Sequence, residues 1–391
     1  MSGLLQRLFG RLPIGWLQLS HSKARFAAAL AGVAFATLLV FMQLGILGAL
    51  NSSTIAPYSF FDADIIISAE DANTLTDGSN VARSRLFQAL GVGGVASGTP
   101  LYIGSLDFQL DGGSTASLQT YALDTQGAAY VTPEIGGQFA QLIPENTALI
   151  DTAMRGVPAN AFDGLRAGQP FAFEIGGKTL TAVGTLTMGG GFTADGTLFV
   201  SDQTFLRFFG GRSSGAPNHI LLKVAQGADA DEVVGRLRTV LPAEAVKVQT
   251  LEEAANADLA YQTTERPTGI IFGFGVLIGI IVGIVIVYQV LSTDVADHLG
   301  EYATFKAMGY GQRFFLGIVF EEALVLAVFG FIPGLLVSML LYMGMSAATG
   351  LPVEMDLARI LSVFAGTLVA CCLSGAIATR RLAGADPADL F

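Results

Sequence analysis

The sequence predicts an α-helical membrane protein with four transmembrane helices and a separate α+β domain outside the bilayer, placed between the first and second helices. Three observations predict it. Four long apolar runs, Phe26–Leu50, Thr268–Leu291, Ala323–Ala348 and Ile360–Thr379, contain no Asp, Glu, Lys or Arg, and each is long enough to cross a hydrocarbon core. The chain as a whole is 52% apolar and only 14% charged, with a mean hydropathy of +0.57. The long interval between the first two runs instead mixes short strand patterns, capped helices and glycine turns, as a soluble domain does.

The first run is too long for the apolar part of a cleavable signal peptide, and about 25 residues precede it. Arg7, Arg11, Lys23 and Arg25 precede it with no acidic residue among them. Lys306 and Arg313 lie between the second and third runs, and Arg380-Arg381 follow the fourth. The positive-inside rule therefore puts both termini and the 292–313 link in the cytoplasm and residues 51–267 outside. That outer domain carries 12 basic and 23 acidic residues, within a chain whose net charge is −11. Its acidity argues against nucleic acid as a partner.

In order, residues 1–25 form a cytoplasmic amphipathic segment. Leu12, Ile14, Trp16, Leu17 and Leu19 sit among basic residues, which suits an interfacial helix or, alternatively, an extension of the first span. The first span is 26–50 and the outer domain, in two lobes, 51–267. Strands are expected at Asp64–Ser68, Ala148–Asp151, Thr179–Leu186, Leu198–Ser201 and His219–Val224, and hairpin turns at Gly112-Gly113 and Gly176-Gly177. Asp229 with Glu232 caps a helix to about Val240. Thr250 with Glu253 forms a capping box that opens another helix towards Tyr261.

The second span, 268–291, carries Gly275, Gly279 and Gly283 at every fourth position. Such a stripe allows a neighbouring helix to approach closely, although glycine is common in membrane helices in any case. Residues 292–313 follow as a charged elbow. Leu299, Tyr302, Phe305 and Met308 recur there at helical spacing, Asp294, Asp297 and Glu301 fall on another side, and Gly309 and Gly311 supply a stop. A short amphipathic helix between two spans is suited to receive force from a cytoplasmic partner; an interfacial turn that merely joins two spans fits the same pattern. The third span, 314–348, contains Pro333, which predicts a kink, and Glu321-Glu322 near its cytoplasmic end. These carboxylates suggest anchoring against the basic N-terminal segment, or a proton relay. A short outer loop, 349–357, the fourth span, 358–379, and a cytoplasmic tail, 380–391, complete the chain.

The usual signs of catalysis are missing. Gly177-Lys178-Thr179 resembles the end of a phosphate-binding loop, but Ala172 stands where the leading glycine belongs. His21, His219 and His298 are assigned to separate regions, and Cys371-Cys372 are adjacent within a span, so no metal or cofactor site is expected on this chain.

The residues carry a family resemblance over essentially the whole chain. Asp297-His-Leu-Gly-Glu-Tyr-Ala-Thr-Phe-Lys-Ala-Met-Gly-Tyr310 resembles the elbow of the DevC branch of FtsX-like, MacB-type (type VII) ABC-transporter permeases. Trp16–Leu19, Phe41–Gly45, Tyr288–Leu291, Glu322-Ala323, Gly330–Gly334 and the closing Ala385–Leu390 are similar to the same branch. The resemblance implies a MacB-type permease fold and a homodimer. It implies a separate cytoplasmic ABC ATPase dimer that binds ATP and Mg, a periplasmic membrane-fusion adaptor and a TolC-like outer-membrane channel. It further implies that Asp297, Leu299, Glu301, Tyr302, Phe305, Lys306 and Met308 form the coupling helix, and that nucleotide-driven motion reaches the periplasmic domain by mechanotransmission. The expected cargo is a membrane lipid or glycolipid-like amphiphile. Its expected route is a dimer crevice lined by Phe41, Leu44, Leu47, Ile270, Ile271 and Phe274. A lipoprotein-extracting permease and a non-transport transmitter that controls a cell-wall hydrolase are the alternatives.

Overall fold

A computed structural model describes residues 14–21, 23–109 and 115–378. The Gly112-Gly113 turn, Leu12, Arg380-Arg381 and the closing Ala385–Leu390 lie outside the described residues. The chain divides into two compact units: a helical one (1–48, 270–344, 353–391) and a mixed one (49–269, 345–352).

In the helical unit, α1 (Ile14–His21) is followed by the long α2 (Lys23–Ile55). The other spans are α7 (Pro267–Asp297), α9 (Gln312–Thr349) and α10 (Leu357–Ala378), with the short α8 (Leu299–Ala307) between α7 and α9. All four long helices are apolar and long enough to cross a membrane. Helix α7 continues six residues beyond the apolar run ending at Leu291, so the first six residues of the expected elbow belong to the span. Helix α9 remains a single helix through Pro333.

Helix α2 is the centre of this unit. A Cβ placed on Gly275 would stand 2.5 Å from the Gln43 amide, one on Gly279 3.4 Å from Val40, and one on Gly283 3.2 Å from Ala36. These pairs step in opposite directions along the two chains, so α7 packs antiparallel to α2. On the other side, Gly330 abuts Val33, Gly334 abuts Thr37 and the Ala34 carbonyl, and Gly45 makes room for the Tyr342 ring. Here the steps run the same way, so α9 is parallel to α2. Small residues at i and i+4 let helix axes close up where lipid gives no hydrophobic drive to associate. The hydroxyl of Tyr342 donates to the Phe41 carbonyl oxygen, and the Ser374 hydroxyl of α10 donates to the Ile284 carbonyl at 3.0 Å.

The mixed unit is built on one nine-stranded sheet, whose strands are β1 (Ile65–Ala69), β2 (Val95–Gln109), β3 (Thr115–Leu123), β4 (Thr147–Asp151), β5 (Phe171–Ile175), β6 (Lys178–Leu186), β7 (Gly196–Ser201), β8 (His219–Val224) and β9 (Val246–Thr250). The order is β3-β7-β4-β6-β5-β2-β8-β1-β9, and β3 also pairs with β2, which closes the first six strands into a ring. The long β2 serves both halves. Its first part pairs with β8 and its second with β3.

In the open half, β1 lies between β8 and β9. Helices α3 (Ser84–Leu90) and α5 (Ala230–Val240) cover one face through Leu86, Ala89, Val233, Val234 and Leu237. The uninterrupted Ile65-Ile66-Ile67 run follows from this. Ile65 and Ile67 face that helical layer, while Ile66 joins the core on the other face. In that core the 3₁₀ turn Ala56–Phe60 places Phe60 against Tyr121 and Phe199. Within the ring, the alternating pattern of β6 buries Leu180, Ala182 and Leu186.

The expected caps are present. Asp229 accepts from the N–H groups of Asp231 and Glu232, and Thr250 and Glu253 form a reciprocal box at the start of α6 (Leu251–Thr264). Gly176 and Gly177, both at positive φ, turn β5 into β6, so Gly177-Lys178-Thr179 is a hairpin and has no phosphate-loop geometry. Helix α4 (Asp202–Phe208) is capped by Ser201.

Candidate functional site

The elbow begins where α7 ends at Asp297. His298 breaks the helix, α8 runs from Leu299 to Ala307, and Met308 caps it. Its stop is a Schellman motif. Gly309, at φ +93°, donates its N–H to the Lys306 carbonyl at 3.0 Å, and the Tyr310 N–H reaches the Phe305 carbonyl at 3.1 Å. Glycine is required at this position because its conformation is left-handed. The hydrophobic contact that accompanies such a motif is also present. The Phe305 and Tyr310 rings stand edge to face at 5.8 Å, and Phe314 lies 4.4 Å from Tyr310 and 5.7 Å from Phe305.

This geometry corrects one expectation. Phe305 is turned inward, onto a small cluster formed by Val295, Phe315, Ile318 and Val319. The apolar side chains directed outward are Met308, 60% exposed, and Tyr310, 46% exposed. The sequence missed Tyr310 because it lies past the helix stop, where helical spacing no longer applies. Lys306 is exposed in the last turn, which suits the negative end of the helix dipole. The side chains of Leu299 and Tyr302 lie outside what the structure describes.

The acidic side of the elbow meets the N-terminal segment. Arg25 pairs with Asp297 at 2.5 Å, and the Gln18 side-chain amide donates to Glu301 at 2.9 Å. Both partners of the ion pair are about half exposed, so it contributes at most about 1 kcal/mol and acts mainly as a positional tie. Deeper in, the Trp16 backbone N–H donates to the Glu321 carboxylate at 3.2 Å, and a Cβ on Gly15 would stand 2.9 Å from both Glu322 Cγ and the Ile318 carbonyl. Glu321 and Glu322 are both buried. They anchor the N-terminal segment, as the sequence suggested, meeting its helix at the Trp16 backbone and at Gly15. Trp16 then packs against Phe26 and Phe329, both at 5.9 Å.

The residues expected to line a crevice are divided. Phe41 is fully buried beside Phe331 at 5.8 Å, and Val363 shares that cluster, so Phe41 lines no open surface. The sequence could not show this, because a uniformly apolar helix does not reveal which side faces protein. Leu44 does line an apolar cleft of about 280 Å³ between α2, α7 and α10, together with Val40, Ile280 and Val363. Gly279 and Gly283 form part of its wall. Leu47 is half-buried, whereas Ile270, Ile271 and Phe274 are exposed on α7.

His219 is buried in the mixed unit. One ring nitrogen contacts the Ser68 hydroxyl and the other the Leu75 carbonyl, both at 2.8 Å. The carbonyl only accepts, so Nε2 carries the proton and Nδ1 accepts from Ser68. Burial lowers its pKa to about 4. Nearby, the buried Asp258 accepts from the Leu75 N–H at 2.9 Å and the Tyr58 hydroxyl at 3.1 Å, and burial raises its pKa. Among the described residues, no group of three or more His, Cys, Asp or Glu is placed to hold a metal ion.

Residues 273–387 match the family described as FtsX-like permease C-terminal. No curated protein matches the chain. Three solved structures are similar to the outer domain. The periplasmic region of MacB from Actinobacillus actinomycetemcomitans is 11% identical, covering 51% of this chain and 93% of its own at a TM-score of 0.32. The extracellular domain of the noncanonic ABC-type transporter YknZ from Gram-positive bacteria is 12% identical, covering 48% and 98% at 0.34. A domain of a putative permease from Porphyromonas gingivalis is 12% identical, covering 50% and 89% at 0.28. These similarities are low. With four membrane-crossing helices and its basic residues beside the elbow, the chain is a multi-pass inner-membrane protein with a large periplasmic domain. Over residues 273–387, 115 of its 391 residues, the chain is similar to the C-terminal domain of FtsX-like permeases.

Proposed function

We propose that this permease couples ATP hydrolysis on a separate cytoplasmic ATPase to export of a lipid or glycolipid-like amphiphile. It acts as a homodimer with a periplasmic membrane-fusion adaptor and a TolC-like outer-membrane channel, as in the DevC branch. The chain itself binds no cofactor; ATP and Mg belong to the ATPase. The observation that supports this reading is the elbow. A rigidly stopped helix joins α7 directly to α9, presents Met308 and Tyr310 outward, and is tied through Asp297 and Glu301 to the segment leading into α2. A push on such an element is felt at once by three spans, which is what mechanotransmission requires.

The cleft between α2, α7 and α10 is apolar and suits an acyl chain. The test is to purify the full-length chain from its native membrane under mild conditions and to identify what accompanies it. An ABC ATPase together with a membrane-fusion adaptor is the expected result. An ATPase with a cell-wall hydrolase and no adaptor would overturn the export reading in favour of signalling.

A further inference from the structure

We propose that the periplasmic loop Met188–Asp195 is a membrane-contacting finger that places Phe192 in the outer-leaflet interface of the bilayer. The inference is independent of the cargo and of the partners.

Both limbs of the loop are fixed. On the first, the fully buried Asp151 carboxylate accepts from the N–H groups of Met188 at 3.1 Å and Gly189 at 2.9 Å, besides that of Ala153 at 2.9 Å. On the second, Arg155 pairs with Asp195 at 3.0 Å and donates to the Gly191 carbonyl at 3.0 Å. Gly189 takes a positive φ of +88°, and a Cβ on Gly190 would stand 3.1 Å from the Arg155 guanidinium, so both positions favour glycine. A loop pinned in this way does not fold its tip back. Phe192 is left 38% exposed, beside an exposed Thr193.

The loop stands where the chain leaves the membrane. A Cβ on Gly191 would stand 3.4 Å from Ser53, which lies one helical turn, about 5 Å, beyond the last residue of the first apolar run. Arg155 also meets Gly350, two residues past the end of the third apolar run, with 3.4 Å from its Nε to a Cβ there. Pro57 and Pro352 join Ser53 around a small cavity of about 50 Å³ under the loop. An aromatic side chain held in the open at that level meets lipid headgroups and upper acyl chains, where rings are favoured.

The test uses the full chain in lipid nanodiscs, with Cys371→Ala and Cys372→Ala as background and Phe192→Cys carrying an environment-sensitive fluorophore. Lipids brominated near the headgroup should quench this probe at least twofold more than the same probe at Phe87→Cys, a 66% exposed position on α3. Equal quenching at the two positions overturns the proposal. A photo-cross-linking residue at 192 in the otherwise native chain supplies a second reading. Adducts with phospholipid are expected, and adducts with protein alone overturn it.

Discussion

The rings of Phe305 and Tyr310 meet edge to face at 5.8 Å across the stop of the elbow helix, locking the chain's exit angle from α8 towards α9. The same contact separates two roles that the sequence had merged. Phe305 holds the elbow together, and Met308 faces outward. Met308→Asp is therefore expected to abolish permease-stimulated ATP hydrolysis in the reconstituted complex while leaving the thermal midpoint within about 2 °C. Desolvating the new carboxylate against an apolar groove costs on the order of several kcal/mol. Phe305→Asp should lower that midpoint as well, because the carboxylate would enter the elbow's own cluster. Stimulation at the native level in Met308→Asp would make the elbow a simple joint.

How far the elbow could be read from sequence follows from these residues. Its charge, its helical spacing and the Gly309 stop were visible, because each is a local rule. The inward turn of Phe305 was not, because it depends on Phe314 and Phe315 of the next helix. In the outer domain, β1, β4, β6, β7 and β8 announce themselves through β-branched and apolar runs. By contrast, β2 contains Ser97-Gly98-Thr99-Pro100 and draws its strand character from pairing with β8 and β3. Among the spans, the regular glycine stripe on α7 is the plainer signal in the sequence. The contacts that cannot relax are those of Gly330 and Gly334 on α9, a pair with the same i, i+4 spacing.

That ranking gives the second prediction. A Cβ on Gly330 would stand 2.6 Å from the Val33 Cβ, and one on Gly334 2.8 Å from the Ala34 carbonyl oxygen, neither of which can swing aside. At Gly275 the obstacle is the end of the flexible Gln43 side chain. Gly330→Leu should therefore cost a few kcal/mol by overpacking and sharply reduce the yield of folded protein. Gly275→Ala should be tolerated. Gly279→Leu and Gly283→Leu should fold but lose export, because they fill the wall of the cleft. Full export by both would remove the cleft from the mechanism.

The third concerns His219. Its pKa is lowered from 6.5 to about 4 by burial, so between those values the unfolded chain binds the proton and the folded one does not. The stabilisation is fully present above pH 6.5 and is lost as the pH falls towards 4, by at most about 3 kcal/mol. Asp258, whose pKa is raised, contributes in the opposite sense, so the comparison must be made against His219→Gln. In full-length protein in nanodiscs, the thermal midpoint of the native chain should fall more steeply than that of His219→Gln between pH 6.5 and 4. Parallel profiles would mean that the imidazole is not held neutral.

The last concerns the route of the cargo. Withdrawing an acyl chain into water costs roughly 0.8 kcal/mol per methylene, so a lipid needs an apolar path until another protein receives it. With Phe41 sealed in the core, the available path is the cleft. From Leu44 to Val33 it spans 11 positions of α2, about 16 Å, and it is bordered on α7 by residues from Val276 to Val287. A lipid of the outer leaflet would enter from the side carrying Leu44 and Val276 and leave towards the periplasmic domain. Photo-cross-linkers at Leu44, Ile280 and Phe274 should then capture lipid in the nucleotide-free complex and at least threefold less when ATP is bound. A cross-linker at Val287, at the inner end of the cleft, should capture little in either state. Stronger capture at Val287 than at Leu44 would place the cargo's entry on the cytoplasmic side and sink the lateral route.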